Sequence, residues 1–193
     1  MALVLNLRPT IQVTDEQLEQ ISRANPNLKL ERSPEGELIV MALNGGETGR
    51  RNSNLTGQLW FWNQQAEFGE SFDSSTGFRL PDGAIRSPDA AWISNERWQT
   101  LTPTQKQKYV PLCPDFVVEL RSSSDALEEL QAKMQEYLDN GLRLGWLIDP
   151  ESQTVEIYRP SSPVEILQKP ESLSGEDVLV GFSLKLKGIL GIS

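Results

Sequence analysis

A strand, a helix and a second strand follow one another between residues 116 and 149. Residues Phe116–Leu120 are an apolar run with the length of a buried strand. Ser122–Asp125 is expected to cap a helix over residues 126–140, whose apolar side chains recur at helical spacing. Leu144–Asp149 is again apolar. This order predicts a βαβ unit with parallel strands and a right-handed crossover, and therefore a sheet covered by a helix.

The residues upstream predict further strands and helices for the same sheet. A Thr-Asp-Glu-Gln capping box at residues 14–17 predicts a helix that stops before Pro26. Residues 28–32 and 37–41 alternate on both sides of a Pro-Glu-Gly turn, which predicts a hairpin. A long helix is expected over residues 47–67. The length of 193 residues fits one domain, which we expect to span residues 1–193.

The chain has no histidine and one cysteine, Cys113. The missing histidine excludes Ser-His-Asp and Cys-His triads and HExxH zinc sites, and a lone cysteine excludes a Cys-based zinc site. Any metal ion must therefore be held by oxygen ligands, which indicates Mg²⁺ or Mn²⁺. Cys113 lies between apolar residues and prolines, so we expect a buried or loop thiol rather than a nucleophile.

The net charge of −9 argues against strong, indiscriminate binding to DNA, because proteins that bind phosphates non-specifically are basic. It is compatible with a local basic groove or with an acidic pocket that fills with cations. The sequence contains no apolar run close to the ~20 residues that span a bilayer. Its first residues lack the basic region of a signal peptide. We therefore expect a cytoplasmic protein with no membrane partner.

Two carboxylates, Asp89 and Glu119, carry the main chemical signal. Asp89 follows a proline at the start of a strand, and Glu119 lies inside the apolar 116–120 run. Arg121 is two residues further on, so its side chain is expected on the same face as Glu119. Two carboxylates on neighbouring strands suit a hard divalent ion, and a cation beside them suits phosphodiester hydrolysis. The structural alternative is that Glu119 only pairs with Arg121 or Lys133, since a lone buried carboxylate is costly.

These residues resemble a known family. Pro88-Asp89 with Glu119-x-Arg121 resembles the PD-(D/E)xK nuclease signature, with arginine in place of lysine. A wider ordered set resembles the Uma2 family of endonuclease-like proteins, which is abundant in cyanobacteria, over roughly residues 15–188. The set comprises GELIVM at 36–41, PDAAWI at 88–93, CPDFVVELRS at 113–122, AKMQEY at 132–137 and GWLIDP at 145–150. The resemblance implies an α/β (α+β) fold with a restriction-endonuclease-like core, a mixed central sheet flanked by helices.

The resemblance also implies roles for individual residues. Lys133 matches the family's helical lysine, and at about 100° per residue it lies about 40° from Tyr137, where it can reach Glu119. Either Arg121 or Lys133 is the catalytic cation, and the sequence leaves that choice open. A glutamate from the first helix is expected as a further metal ligand; Glu47 is the first choice and Glu31 the alternative.

The sequence thus predicts a Mg²⁺- or Mn²⁺-dependent endonuclease with DNA as its expected substrate, although the residues do not separate DNA from RNA. Cutting both strands of a duplex takes two sites, which favours a homodimer. A catalytically inactive binding or assembly module on the same fold is the alternative, motivated by the net charge and by Arg121. A phosphohydrolase of small phosphates ranks last, because the chain has no Gly-rich phosphate cradle.

Overall fold

The computed structural model describes residues 2–7, 11–41, 43 and 45–191, which contain both helices and strands. The helices are α1 (Asp15–Ala24), α2 (Gly46–Ala66), α3 (Asn95–Trp98), α4 (Pro103–Lys106) and α5 (Leu127–Asp139). The strands are β1 (Ala2–Leu5), β2 (Lys29–Arg32), β3 (Leu38–Met41), β4 (Gly69–Asp73), β5 (Phe78–Arg79), β6 (Ile85–Arg86), β7 (Ala90–Ser94), β8 (Phe116–Leu120), β9 (Leu144–Asp149), β10 (Thr154–Tyr158), β11 (Glu165–Gln168), β12 (Ser172–Ser174) and β13 (Ser183–Lys185).

The central sheet has six strands in the order β11-β10-β9-β8-β7-β4. Strands β8 and β9 are parallel and α5 connects them, whereas the other neighbours pair antiparallel. The predicted mixed sheet and βαβ unit are therefore confirmed. Every residue of β8 is buried, because helices and loops cover both faces of the sheet. This burial explains why the sequence of β8 is a continuous apolar run rather than an alternating one.

Two apolar layers fix the sheet between its helices. On one face, α2 packs with the C-terminal segment in a cluster that includes Leu59, Trp146 and Phe182. On the other face, α5 contributes Met134 and Tyr137 to a second cluster. This packing fixes the position of α5, which also carries Lys133.

A second sheet, with strand order β1-β3-β2-β6-β5, lies on the α5 side of the molecule. Its β2–β3 hairpin is the one that the sequence predicts. Helix α1 packs against it through the fully buried Leu18. The predicted capping box is present, since Thr14 Oγ1 accepts a hydrogen bond from Gln17 N–H at 3.2 Å and Gln17 Oε1 accepts one from Thr14 N–H at 2.9 Å.

Helix α5 begins differently from the prediction. Its N-cap is Ala126, and no side chain caps it. The carboxylate of Asp125 instead accepts hydrogen bonds from the backbone N–H and the hydroxyl of Ser122, at 3.0 and 2.7 Å. The predicted cap is therefore wrong, because the serine-rich segment closes a tight turn of its own after β8.

The environment of the single thiol agrees with the sequence. Cys113 is buried, and burial raises the pKa of its thiol to about 12, which makes the reactive thiolate scarce. Among the residues described, no helix is both long enough and apolar enough to cross a membrane.

Candidate functional site

Glu119 lies in β8, and Asp89 is the residue just before β7, the strand that pairs antiparallel with β8. The register of β7 and β8 pairs Ala90 with Val118, so the next positions outward belong to Asp89 and Glu119. Both side chains are buried, and Asp89 Oδ2 accepts a hydrogen bond from the backbone N–H of Leu120 at 2.8 Å. The two carboxylates that the sequence singles out are therefore direct neighbours across the sheet.

Lys133 of α5 reaches back over the sheet to Glu119. Its Nζ lies 2.8 Å from Glu119 Oε1 and 2.9 Å from Glu31 Oε1. The hydroxyl of Tyr137, one helical turn later, donates to the same Glu119 oxygen at 3.1 Å. The predicted approach of Lys133 to Glu119 is confirmed, and the ammonium group lies between two buried carboxylates.

Glu31 anchors this lysine from the second sheet. Besides Lys133, its carboxylate accepts the backbone N–H of Ser87 at 2.9 Å and Nη1 of Arg86 at 3.3 Å. Arg86 is itself held by both oxygens of Glu136, at 2.5 and 2.9 Å. Both oxygens of Glu31 thus face cations or a peptide N–H. Glu31 therefore holds Lys133 in place. Its contacts do not favour the alternative prediction that Glu31 is a metal ligand.

The two carboxylates around Lys133 differ in their affinity for a proton. Burial raises the pKa of Glu119 to about 7; Lys133 opposes this effect, and the negative charges of Asp89 and Glu31 add to it. Burial also acts on Glu31, but Lys133 and Arg86 outweigh it and hold the pKa of Glu31 at about 2. Burial disfavours the charge of Lys133, yet its two carboxylate partners raise its pKa above the ordinary value. Glu31 is therefore the permanent counter-ion of Lys133, and Glu119 is the carboxyl group that titrates near neutrality.

Replacing Glu119 by glutamine is expected to change how stability depends on pH. The folded-state pKa of about 7 lies above the ordinary 4.5, so the contribution of Glu119 to stability is fully present below pH 4.5 and is lost as the pH rises through 7. Glutamine does not titrate. The free energy of unfolding of Glu119→Gln minus that of the wild type should therefore increase from pH 5 to pH 8. Urea denaturation at both pH values measures this difference, and a constant difference would contradict the raised pKa.

Glu47 lies at the mouth of the site. It is in the first turn of α2, about half exposed, and its carboxylate pairs with Arg50 at 2.7 Å and Arg51 at 3.2 Å. It lines the same cleft as Asp89 and Glu119. Its contacts are with arginines of its own helix, so its role as a metal ligand stays a prediction.

Arg121 turns toward the neighbouring strand instead of toward Glu119. Its Nη1 donates to Asp149 at 2.8 Å and its Nε donates to the carbonyl of Asp125 at 3.1 Å. The parallel register explains the contact, because Leu120 pairs with Ile148 and the next positions are Arg121 and Asp149. The cation that contacts Glu119 is therefore Lys133, and a catalytic role for Arg121 stays a prediction.

The site opens into a cleft of about 1030 Å³ between the second sheet, α5 and the ends of β7 and β8. Its acidic floor carries Asp89, Glu119 and Glu31, with Lys133 and Arg86 among them. The side chains on the wall from the second sheet are mainly apolar. They include Val4, Leu30, Ile39 and Met41. The volume matches the upper range of small-molecule pockets, about 300–1,000 Å³, and admits part of a larger substrate.

The donor atoms fit a hard divalent cation that shares its coordination with water and substrate. Within the described ranges, no cluster of three or more His, Cys, Asp or Glu side chains is close enough to hold an ion alone. Mg²⁺ characteristically uses one or two carboxylates, several waters and substrate phosphates, which Asp89 and Glu119 match. Beside Asp89, the buried Oδ1 of Asn52 has no hydrogen-bond partner among the described residues, so a further oxygen is at hand.

Sequence reasoning missed two polar contacts of this site. Tyr137 follows the apolar spacing of α5, but it is four residues from Lys133, which places both on one side of the helix. Asn52 lies on the buried side of α2, three and seven residues before Leu55 and Leu59. A polar side chain in an otherwise apolar helical stripe is the signal that could have identified it.

Comparison with known proteins identifies a family and a similar fold. The chain matches the model of the Uma2 family, described as "Putative restriction endonuclease", over residues 15–187. None of the curated proteins matches it. Among solved structures, a "putative nuclease belonging to DUF820" from Anabaena variabilis ATCC 29413 is similar, with 20% identity and a TM-score of 0.70 over 83% of this chain and 89% of that chain. At that identity the likeness shows a shared fold. Because the family model spans most of its length, this chain belongs to the Uma2 family.

Proposed function

We propose that this protein is a metal-dependent endonuclease that hydrolyses DNA phosphodiester bonds at the Asp89–Glu119 pair. The observation that carries the proposal is the position of Glu119, which has Asp89 opposite it across the sheet and Lys133 at 2.8 Å from α5. Membership of a restriction-endonuclease family supports nuclease activity. The requirement for metal and the choice of DNA are the finer parts of the proposal.

Each of these side chains has a distinct task. Asp89 and Glu119 would hold Mg²⁺ or Mn²⁺, which when bound polarises a phosphate oxygen and lowers the pKa of a water. Lys133 places a fixed positive charge beside Glu119 on the floor of the cleft, where it stabilises negative charge on the reacting phosphate. Glu31 and Tyr137 keep Lys133 and Glu119 in place. Lys133 is therefore our choice for the catalytic cation, and Glu47 remains a candidate ligand at the mouth of the cleft.

The wild-type protein is expected to nick or linearise supercoiled plasmid DNA in the presence of Mg²⁺ or Mn²⁺ and to stop when EDTA is added. Isothermal titration with Mn²⁺ should give binding heat that Asp89→Asn largely loses, because the neutral amide is a poor ligand for a hard cation. Circular dichroism controls for folding of the variant. Equal Mn²⁺ binding by wild type and Asp89→Asn would contradict the site.

The second candidate function, a catalytically inactive binding or assembly module, is favoured by the charge balance. The net charge is −9, and the cleft is lined by more carboxylates than cations. Such a module would bind Mn²⁺ weakly or not at all and would leave plasmid DNA and single-stranded RNA uncut. The same two assays therefore separate the two functions.

The proposal extends to the organisation of the protein. Duplex cleavage takes two sites, so we propose that two copies act together, each as one domain over residues 1–193 in the cytoplasm. Sedimentation equilibrium with and without duplex DNA measures the number of copies directly.

A further inference from the structure

Asn52 touches the candidate metal site from the side of α2. It is buried, and its Nδ2 donates a hydrogen bond to Asp89 Oδ1 at 3.0 Å. The other oxygen of Asp89 accepts the backbone N–H of Leu120. Donors from a helix and from a strand thus fix the two oxygens of one carboxylate, which determines its orientation.

The other polar atom of this amide is left unpaired. Within the described residues, Asn52 Oδ1 is buried without a hydrogen-bond partner. Leaving a buried polar atom in that state destabilises the folded protein. The nearby buried positions of α2 hold Leu55 and Leu59. An apolar residue at position 52 would avoid that cost but would leave the buried Oδ1 of Asp89 without its donor, so the amide is best explained by its contact with the Asp89 carboxylate.

A second asparagine of the same helix shows what a purely structural amide looks like. Asn63 is also buried, and its position eleven residues later places it on the same side of α2. Its Oδ1 accepts the indole N–H of Trp92 at 2.7 Å, and its Nδ2 donates to the carbonyl of Gly69 at 2.9 Å. Both ends of that amide are satisfied, whereas among the described residues the side chain of Asn52 bonds to the Asp89 carboxylate alone.

We propose that Asn52 is a positioning residue of the metal site, an inference that rests on the proposed function. It holds the Asp89 carboxylate in the orientation that binds the cation, and its unpaired Oδ1 becomes an acceptor for the hydrated ion. Residues that orient a metal ligand through a hydrogen bond typically change metal affinity by about 10- to 100-fold when they are replaced.

The test uses the full chain with three variants: Asn52→Leu, Asn63→Leu and Asn52→Thr. Titration calorimetry with Mn²⁺ alone measures affinity without DNA, and urea denaturation in EDTA measures stability without metal. Asn52→Leu should weaken Mn²⁺ binding by about 10- to 100-fold and lose less stability than Asn63→Leu. Asn63→Leu should unfold at lower urea and keep the wild-type Mn²⁺ affinity. Asn52→Thr retains a donor of similar size and should recover most of the affinity.

Four results would overturn the positioning role. Asn52→Leu with wild-type Mn²⁺ affinity would show that Asp89 does not depend on the amide. An equal loss of affinity in Asn63→Leu would point to a general effect of α2. Failure of Asn52→Leu to fold would assign Asn52 to the fold. Absence of Mn²⁺ binding by the wild type would overturn the metal site itself, so measuring the wild type first separates the two failures.

Discussion

Glu119→Gln is expected to reduce metal-dependent DNA cleavage by roughly 100- to 1,000-fold while the protein remains folded, on the scale of losing one preorganised electrostatic group. The carboxamide has nearly the same shape and keeps an oxygen that accepts from Lys133 and Tyr137, whose contacts are 2.8 and 3.1 Å in the wild type. It removes the negative charge that would bind the cation opposite Asp89. The variant therefore tests the role of the Glu119 charge in cleavage while the fold stays intact.

Initial rates of plasmid nicking in Mn²⁺ measure the effect, with Mn²⁺ affinity from calorimetry as a second reading. Glu128→Gln is the matched control, because Glu128 is an exposed carboxylate in the first turn of the nearby α5. The control should cut at the wild-type rate. A Glu119→Gln protein that cuts as fast as Glu128→Gln would show that phosphodiester chemistry occurs elsewhere.

Lys133→Met is expected to destabilise the protein by about 3–5 kcal/mol at pH 8 and to abolish cleavage. The ammonium group is buried between Glu31 and Glu119, whose side chains are only 2% and 5% exposed. Methionine fills a similar volume but leaves the buried Glu119 without its cation, so at pH 8 this carboxyl group must either keep an unpaired charge or take up a proton, and breaking a buried ion pair in this way is costly. Glu31 retains Arg86, so the loss falls mainly on Glu119.

The double variant Lys133→Met with Glu119→Gln tests whether the unpaired Glu119 carboxylate causes the loss of stability. Removing the uncompensated charge should restore a large part of the lost stability, so the two changes should be strongly non-additive in urea denaturation. Lys108→Met, at an exposed lysine, is the control and should change stability by no more than about 0.5 kcal/mol. Additive effects of the two changes would mean that Lys133 stabilises the fold through packing alone.

The sequence predicted the elements of this fold where the signal is local. The run 116–120, the helical spacing before Gly141 and the run 144–149 gave the βαβ unit, because periodicity and turn residues are properties of neighbours along the chain. The helix cap after β8 was predicted wrongly for the same reason. The same sequence of Ser and Asp residues can either cap a helix or form a separate turn, and only the surrounding structure determines which of the two forms.

The residues of the candidate site were also predictable only where the signal is local. Glu119 and Asp89 could be identified from the sequence alone. Glu119 lies inside an apolar strand and Asp89 at the start of another, and a buried charge needs a partner or a function. The sequence left Arg121 and Lys133 as alternatives. In the structure, the register of β8 and β9 places Arg121 beside Asp149, and the packing of α5 places Lys133 beside Glu119.

The sequence by itself determined the strands, the helices and the two carboxylates at the centre of the proposed chemistry. Only the tertiary structure decided which cation meets them, that Glu31 supports this cation from another sheet, and that the amide of Asn52 holds Asp89. Glu31 and Lys133 are 102 residues apart, and Asn52 and Asp89 are 37 apart. Hydrogen bonds and ion pairs act over a few ångströms, so such contacts exist only once packing has closed those distances.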